Sequence, residues 1–188
     1  MFSYQTGNFP HASSKGHNYQ MIVHEIDGNS TWIKPMKNRT KGEMILAQRR
    51  ALARMKLQGI VTKHQVLDNE ISSAYKTEIQ ATHMTYKIVP PDDHNRNMTE
   101  KETQTCKDNF VGVLTGTASA FPMQLWCQSI PQAKRQIMLL QQSNVNPRIY
   151  AYSHVYGLHN YNTKTFVPIG MSSIFHDKPR QRTLFAEH

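Results

Sequence analysis

Two acidic residues stand where they could hold a metal or a ligand. In the run from His64 to Glu70, a short apolar stretch of β character, Val66-Leu67, ends in Asp68, and polar Asn69-Glu70 leads into a helical-looking segment, Ile71 to Ala81. That arrangement puts a carboxylate at the carboxyl end of a strand. Ligands and metals gather at such edges of open α/β sheets, because strand ends and loops converge there without side chains crossing the core. A second carboxylate, Glu100, follows the Pro90-Pro91-Asp92 loop at the opening of another helix. The 31 residues between them, 69 to 99, accommodate a strand, a helix, a further strand and a loop, which would return Glu100 to the edge that carries Asp68.

The elements that must position these two groups are legible from periodicity and turn chemistry. Thr6-Gly7-Asn8-Phe9-Pro10 and the Ser/Gly/Asn-rich stretch after it predict a clipped first strand and a loop. Strands are predicted over Tyr19 to Asp27 and Ser30 to Pro35, joined by an Asp27-Gly28-Asn29 turn. Thr40-Lys41-Gly42-Glu43 fits a capping box ahead of an amphipathic helix that Gly59 ends. Further strands are expected over Gln65 to Asp68 and Thr85 to Val89, with the strand ending at Asp68 in the centre of one mixed sheet. Thr103, Cys106, Phe110, Val113 and Thr117 recur at helical spacing, so a helix opening near Thr99 should turn them inward and leave Glu100, Gln104 and Lys107 on a polar face. Pro131 should kink or divide the segment from Phe121 to Gln142, giving two consecutive helices or one bent helix. From 143 to 188 the chain reads as a basic, irregular, poorly packed extension to a core spanning 1–142.

Composition bounds the function classes. The 188 residues, 38% of them hydrophobic, suffice for one real core and not for two full domains. A net charge of +9 points to a polyanionic partner. No apolar run approaches the roughly 20 residues that span a bilayer, and 1–10 has no signal-peptide core, so a membrane or secreted role is not expected and a nuclear or cytoplasmic one is. The two cysteines, Cys106 and Cys127, have neither disulfide density nor zinc spacing.

Taken together, Asp68-Asn69-Glu70, Pro90-Pro91-Asp92, Asn97-Met98-Thr99-Glu100 and Gln104-Thr105-Cys106-Lys107 resemble the second half of an integrase catalytic core, in particular that of copia-type long-terminal-repeat retrotransposon polyproteins. The likeness continues through Phe121-Pro122, Leu125-Trp126, Gln142 to Pro147 and Pro168-Ile169-Gly170, nearly the whole chain. It implies an RNase H-like fold, a Mg2+ or Mn2+ cofactor, metal-dependent cutting and joining of DNA, element ends and target DNA as partners, and a homo-oligomer. Asp68 and Glu100 would be the catalytic metal ligands. Asn69, Gln104 and Lys107 would contact nucleic acid.

Such a reaction needs carboxylates because two hard cations, about 4 Å apart, activate the attacking oxygen and stabilise the leaving one. The family pattern has a first aspartate two residues before a threonine on the first strand. Here that position, ahead of Thr6, is Tyr4. A neutral phenol is a poor bridging ligand. Glu25 or Asp27 could substitute only if the hairpin register brings one of them close. The resemblance therefore implies a truncated or degenerate copy, with a catalytically inactive DNA-binding remnant and an RNase H-like nuclease as alternatives. For each residue there is a plainer role. Asp68 could end a strand or cap a helix, Glu100 could complement a helix dipole, and Lys107, like Lys34, Lys37, Arg39 and Lys41, could be solvated charge.

Overall fold

The computed structural model describes residues 1–67, 72–88, 94–164 and 166–171, with side chains in the long third helix described from Lys101 onward. Five strands form one mixed sheet: β1 (Phe2–Gln5), β2 (Tyr19–Glu25), β3 (Ser30–Met36), β4 (His64–Leu67) and β5 (Thr85–Ile88), in the order β3-β2-β1-β4-β5. The first three are antiparallel neighbours, whereas β4 runs parallel to both β1 and β5. The helices among the described residues are α1 (Lys41–Lys56), α2 (Ser73–Ala81), α3 (His94–Thr115), α4 (Ile130–Leu140) and α5 (Ala151–Tyr156), with a 3-10 turn at Met123–Gln128. The expected element order is present. The centre of the sheet is β1, however, and not the strand that ends at Asp68. Only long-range pairing decides which strand is central, and no local pattern records it.

Alternation along β2 and β3 sorts their side chains between two cores. Met21, Val23, Trp32 and Met36 meet Ala47, Ala51 and Met55 of α1 and Tyr75 and Ile79 of α2. Ile22 and Ile33 turn the other way, to Cys106, Phe110 and Val113 of α3 and Ile137 of α4, and Tyr4 packs against this second cluster. The inward stripe read along α3 is therefore correct at Cys106, Phe110 and Val113. The helix itself starts at His94, ahead of the expected Thr99. Pro131 stands in the first turn of α4, where its missing N–H costs nothing, so it opens a helix after the 3-10 turn.

Two expectations about local structure need correction. Thr40 is the residue before α1, but its hydroxyl donates to Asn38 Oδ1 at 2.6 Å, while Glu43 accepts the Lys37 N–H at 3.1 Å. The capping box is replaced by bonds back into the β3–α1 connection. The stretch after 142 is not irregular throughout either. Gln142 bridges to Tyr150, and α5 buries Ala151, Tyr152 and Val155 in the core on the α1 side. Six residues are too short for periodicity to declare a helix.

A buried polar network fixes β4 against its neighbours. Gln65 Nε2 donates to Ser3 Oγ at 2.7 Å, and Gln48 Nε2 of α1 donates to Gln65 Oε1 at 2.6 Å. Ser3 Oγ in turn lies 3.4 Å from Tyr75 Oη of α2. Four elements are thereby tied at one fully buried amide. Gln65→Ala should cost about 2 kcal/mol, because the Gln48 amide and the Ser3 hydroxyl would lose buried partners. Urea unfolding checks this, and a loss under about 0.5 kcal/mol would show that β4 is held by its ladder alone.

Candidate functional site

The site is organised on β1, which runs beside β4 and has α3 packed against it. Their parallel register pairs Phe2 with Val66, and the Val66 N–H donates to Met1 O at 2.9 Å. Leu67 is the last described residue of β4, so Asp68 and Asn69 lie outside the described residues. Glu100 belongs to α3, with its side chain likewise outside them. The position that the described residues define fully is Tyr4.

Tyr4 pairs with Ile22 and points to the α3 side of the sheet. Its hydroxyl is buried beside Thr103 and Cys106, without a hydrogen bond of good geometry. Burial, reinforced by Cys106, raises the phenol well above its usual range, so it stays neutral. The same burial pushes the Cys106 thiol up to about 11. Beneath them lies a second polar layer: His24 Nδ1 is 3.9 Å from Glu102 Oε2, which also accepts from Gln141 Nε2 at 3.1 Å. Burial holds the His24 imidazolium below its usual range, and Glu102 opposes that shift. One residue separates Glu102 from Glu100 in sequence, yet the Glu102 carboxylate is engaged with His24 and Gln141.

Neither acid of the β2–β3 hairpin can complete this edge. Asp27 lies beyond the end of β2 that pairs with Phe2, and it shares a cavity with Met1 and His64, at the opposite end of β4 from Leu67. Antiparallel pairing of β1 with β2 is the physical reason, because it carries the end of β2 away from the end of β1. Glu25 is occupied: its Oε1 accepts from the Asp27 N–H at 2.7 Å, and its Oε2 accepts from the Gly28 N–H at 3.0 Å and the Ser30 hydroxyl at 3.1 Å. It is the anchor of the hairpin turn.

Of the nucleic-acid candidates, Lys107 is exposed on α3 and borders a cavity with Thr6, Asn8 and Phe9, the segment that leaves β1. Gln104 is exposed as well, but its amide donates to Asp108 Oδ1 at 2.6 Å. The basic group at 34–41 divides: Lys37 and Lys41 are exposed, Arg39 bonds the Thr6 carbonyl and lies over the Tyr19 ring, and Lys34 is half-buried.

Among the described residues, no three His, Cys, Asp or Glu side chains converge on a point that could hold a metal ion. The described donors do not fit a two-metal set. At Tyr4 on β1 they include a buried neutral phenol, which is no ligand for a hard cation.

The architecture is that of an integrase catalytic core, an RNase H-like α/β fold with a mixed five-stranded sheet. Three solved structures carry the likeness. A chain of the simian T-cell lymphotropic virus intasome in complex with PP2A regulatory subunit B56 gamma matches 95% of this chain with a TM-score of 0.63 and 14% identity. This chain spans 57% of that one's length. The HTLV-2 integrase catalytic core domain, solved in complex with magnesium in a trimeric form, matches 82% of this chain and 94% of its own, with a TM-score of 0.58 and 14% identity. The BIV integrase catalytic core domain matches 82% and 91%, with a TM-score of 0.55 and 11% identity. At these identities the likeness is one of fold. No protein-family model and no curated protein matches the chain. No helix among the described residues is long and apolar enough to cross a membrane.

Neither the location of β1 nor the occupied state of Glu25 is signalled in the sequence as such. The turn Asp27-Gly28-Asn29 does carry a hint of the latter. A Cβ at Gly28 would meet Glu25 Oε2 at 2.8 Å, so an acid two residues ahead of an Asp-Gly turn is placed to cap it.

Proposed function

We propose that this chain is the integrase-type domain of a copia-type retrotransposon, one that binds nucleic acid and whose metal-dependent strand joining is at or near background. The observation that carries the reading is Tyr4, a neutral side chain on the central strand where this fold's chemistry calls for a carboxylate. Tyr4 stands on β1, which runs parallel to β4, the strand that Asp68 follows in sequence, and α3, which carries Glu100, packs against β1. Asp68 and Glu100 would then be candidates for a single Mg2+ or Mn2+ ion, and one ion cannot stabilise both the attacking and the leaving oxygen. An RNase H-like hydrolase would require the same set of acids, so Tyr4 weighs against hydrolysis equally. Element ends, target DNA and a homo-oligomer are part of the same proposal.

Binding, unlike joining, does not need the missing acid. The net charge of +9 supports salt-sensitive binding without strong sequence choice. Lys107→Glu should weaken binding about tenfold at low salt and flatten the salt dependence by roughly one unit of slope, equally for unrelated sequences. Fluorescence anisotropy with several duplexes tests this. Sequence-dependent losses, or none, would remove Lys107 from the interface.

A further inference from the structure

A cluster of cations gathers over the edge strand β3, on the face of the sheet opposite Tyr4. Lys34 pairs with Met21, which pairs with Gln5, so Lys34 stands level with the carboxyl end of β1 and about two strand spacings away, roughly 10 Å. It lies two residues from both Trp32 and Met36, so it shares their face, the one that carries the core on the α1 side. Arg50 and Arg54 of α1 act on Lys34 by like-charge repulsion, and Lys34 and Arg54 act in the same way on Lys134 of α4. Lys134 is not a free surface amine. Its Nζ lies 3.5 Å from the centroid of the Trp32 ring and donates to Tyr156 Oη at 2.6 Å.

None of these four cations is ion-paired among the described residues, where the ion pairs are Arg49–Glu78 and, when His24 is protonated, His24–Glu102. Protecting an edge strand from pairing takes one lysine on that strand, and Lys34 supplies it. It does not require a second amine held against an indole, with two arginines nearby. Burial, together with Lys34 and Arg54, brings the Lys134 amine down to about 7. A bound anion would offset that repulsion.

We propose that Lys34, Arg50, Arg54 and Lys134 form an oxyanion site at the β3 edge, filled by the phosphodiester backbone of a nucleic acid strand. Tyr156 takes part as a donor: burial pushes its phenol up to about 12, so its proton is retained while its oxygen accepts from Lys134. Arg50 and Arg54 are four residues apart on one side of α1, roughly 6 Å along the axis, a span that serves more than one phosphate. The choice of ligand rests on the nucleic-acid reading above; the residues do not. Because α3 lies on the other face, the site is a contact separate from Lys107.

The test titrates the full chain with pyrophosphate and with a short single-stranded DNA, in the unmodified protein, a Lys34→Met/Lys134→Met double variant, Lys134→Arg and Lys107→Glu. The double variant should bind DNA 10- to 100-fold more weakly, with a salt slope shallower by roughly 1.4, two contacts at about 0.7 each. Lys134→Arg, which keeps the charge over Trp32, should stay within a few-fold of the unmodified chain, and thermal melts should show both variants folded. Unchanged affinity and slope in the double variant, with Lys107→Glu still weakened, overturns the site and leaves the nucleic-acid reading standing. Pyrophosphate binding that depends on Lys34 and Lys134, with no DNA binding by any form, keeps the oxyanion site and overturns its phosphodiester ligand together with that reading. Binding of neither probe overturns both.

Discussion

Replacing Tyr4 by aspartate is expected to make the stability of this chain depend on divalent metal. In the unmodified protein the phenol is buried beside Thr103 and Cys106 and stays neutral. An aspartate there loses the apolar contacts of the ring and places a carboxylate in the same buried setting, near Glu102. Without metal the variant should lose about 3 kcal/mol, roughly 6 to 12 °C in Tm for a chain of this size. Excess Mg2+ or Mn2+ should recover most of that loss, because a ligand bound only by the folded state stabilises it by mass action. The unmodified chain should shift by no more than a few degrees under the same conditions. Adding Asp68→Asn to Tyr4→Asp should abolish the metal-dependent recovery. Recovery that survives Asp68→Asn would mean that the metal sits elsewhere and that Tyr4 has been assigned the wrong place in the site.

The second large effect concerns Glu25, which is expected to matter for stability and not for metal. Its carboxylate takes the N–H groups of Asp27 and Gly28 and the Ser30 hydroxyl, and Ser30 Oγ in turn accepts from Trp32 Nε1 at 3.0 Å. Removing it leaves several buried donors without an acceptor, each costing about 1 kcal/mol or more. Glu25→Ala should therefore lose about 3 kcal/mol in chemical unfolding, and Glu25→Gln, which keeps one acceptor oxygen, about half of that. Asp27→Asn, at an exposed position in the same turn, should stay within about 0.5 kcal/mol. A Glu25→Gln variant with unchanged stability and weakened metal binding would restore this acid as a ligand.

What the sequence discloses here is local, and what it conceals is long-range. The β2–β3 hairpin is legible because Asp27-Gly28-Asn29 is turn chemistry, and Asn29 adopts the left-handed conformation with φ of 55°. The break before α4 is legible because proline acts through its own residue. The inward stripe of α3 is legible because periodicity records it. By contrast, the centrality of β1 rests on a strand of four residues that pairs with β2 after a long loop and with β4 much later in the chain. Asp27 could be weighed as a ligand only because the sequence does not say which end of the sheet the hairpin turn occupies. Nothing local marks Lys134, because its contact with Trp32 exists only once α4 has packed against β3. Asp68 and Glu100 are proposed from types and spacing and Tyr4 from the family resemblance, and of the three only the Tyr4 side chain falls among the described residues. The neutrality of Tyr4 is not legible in the sequence, since it follows from burial under α3.

The most direct measurement is strand joining by the unmodified chain, with pre-processed retroelement-end DNA and a target duplex in Mg2+ and in Mn2+. The predicted result is product at the level of a no-protein control, with Tyr4→Asp rising above it. Metal-dependent joining by the unmodified chain, lost on Asp68→Asn, would contradict the account, because it would show that the site works with a tyrosine where the fold's chemistry calls for an acid.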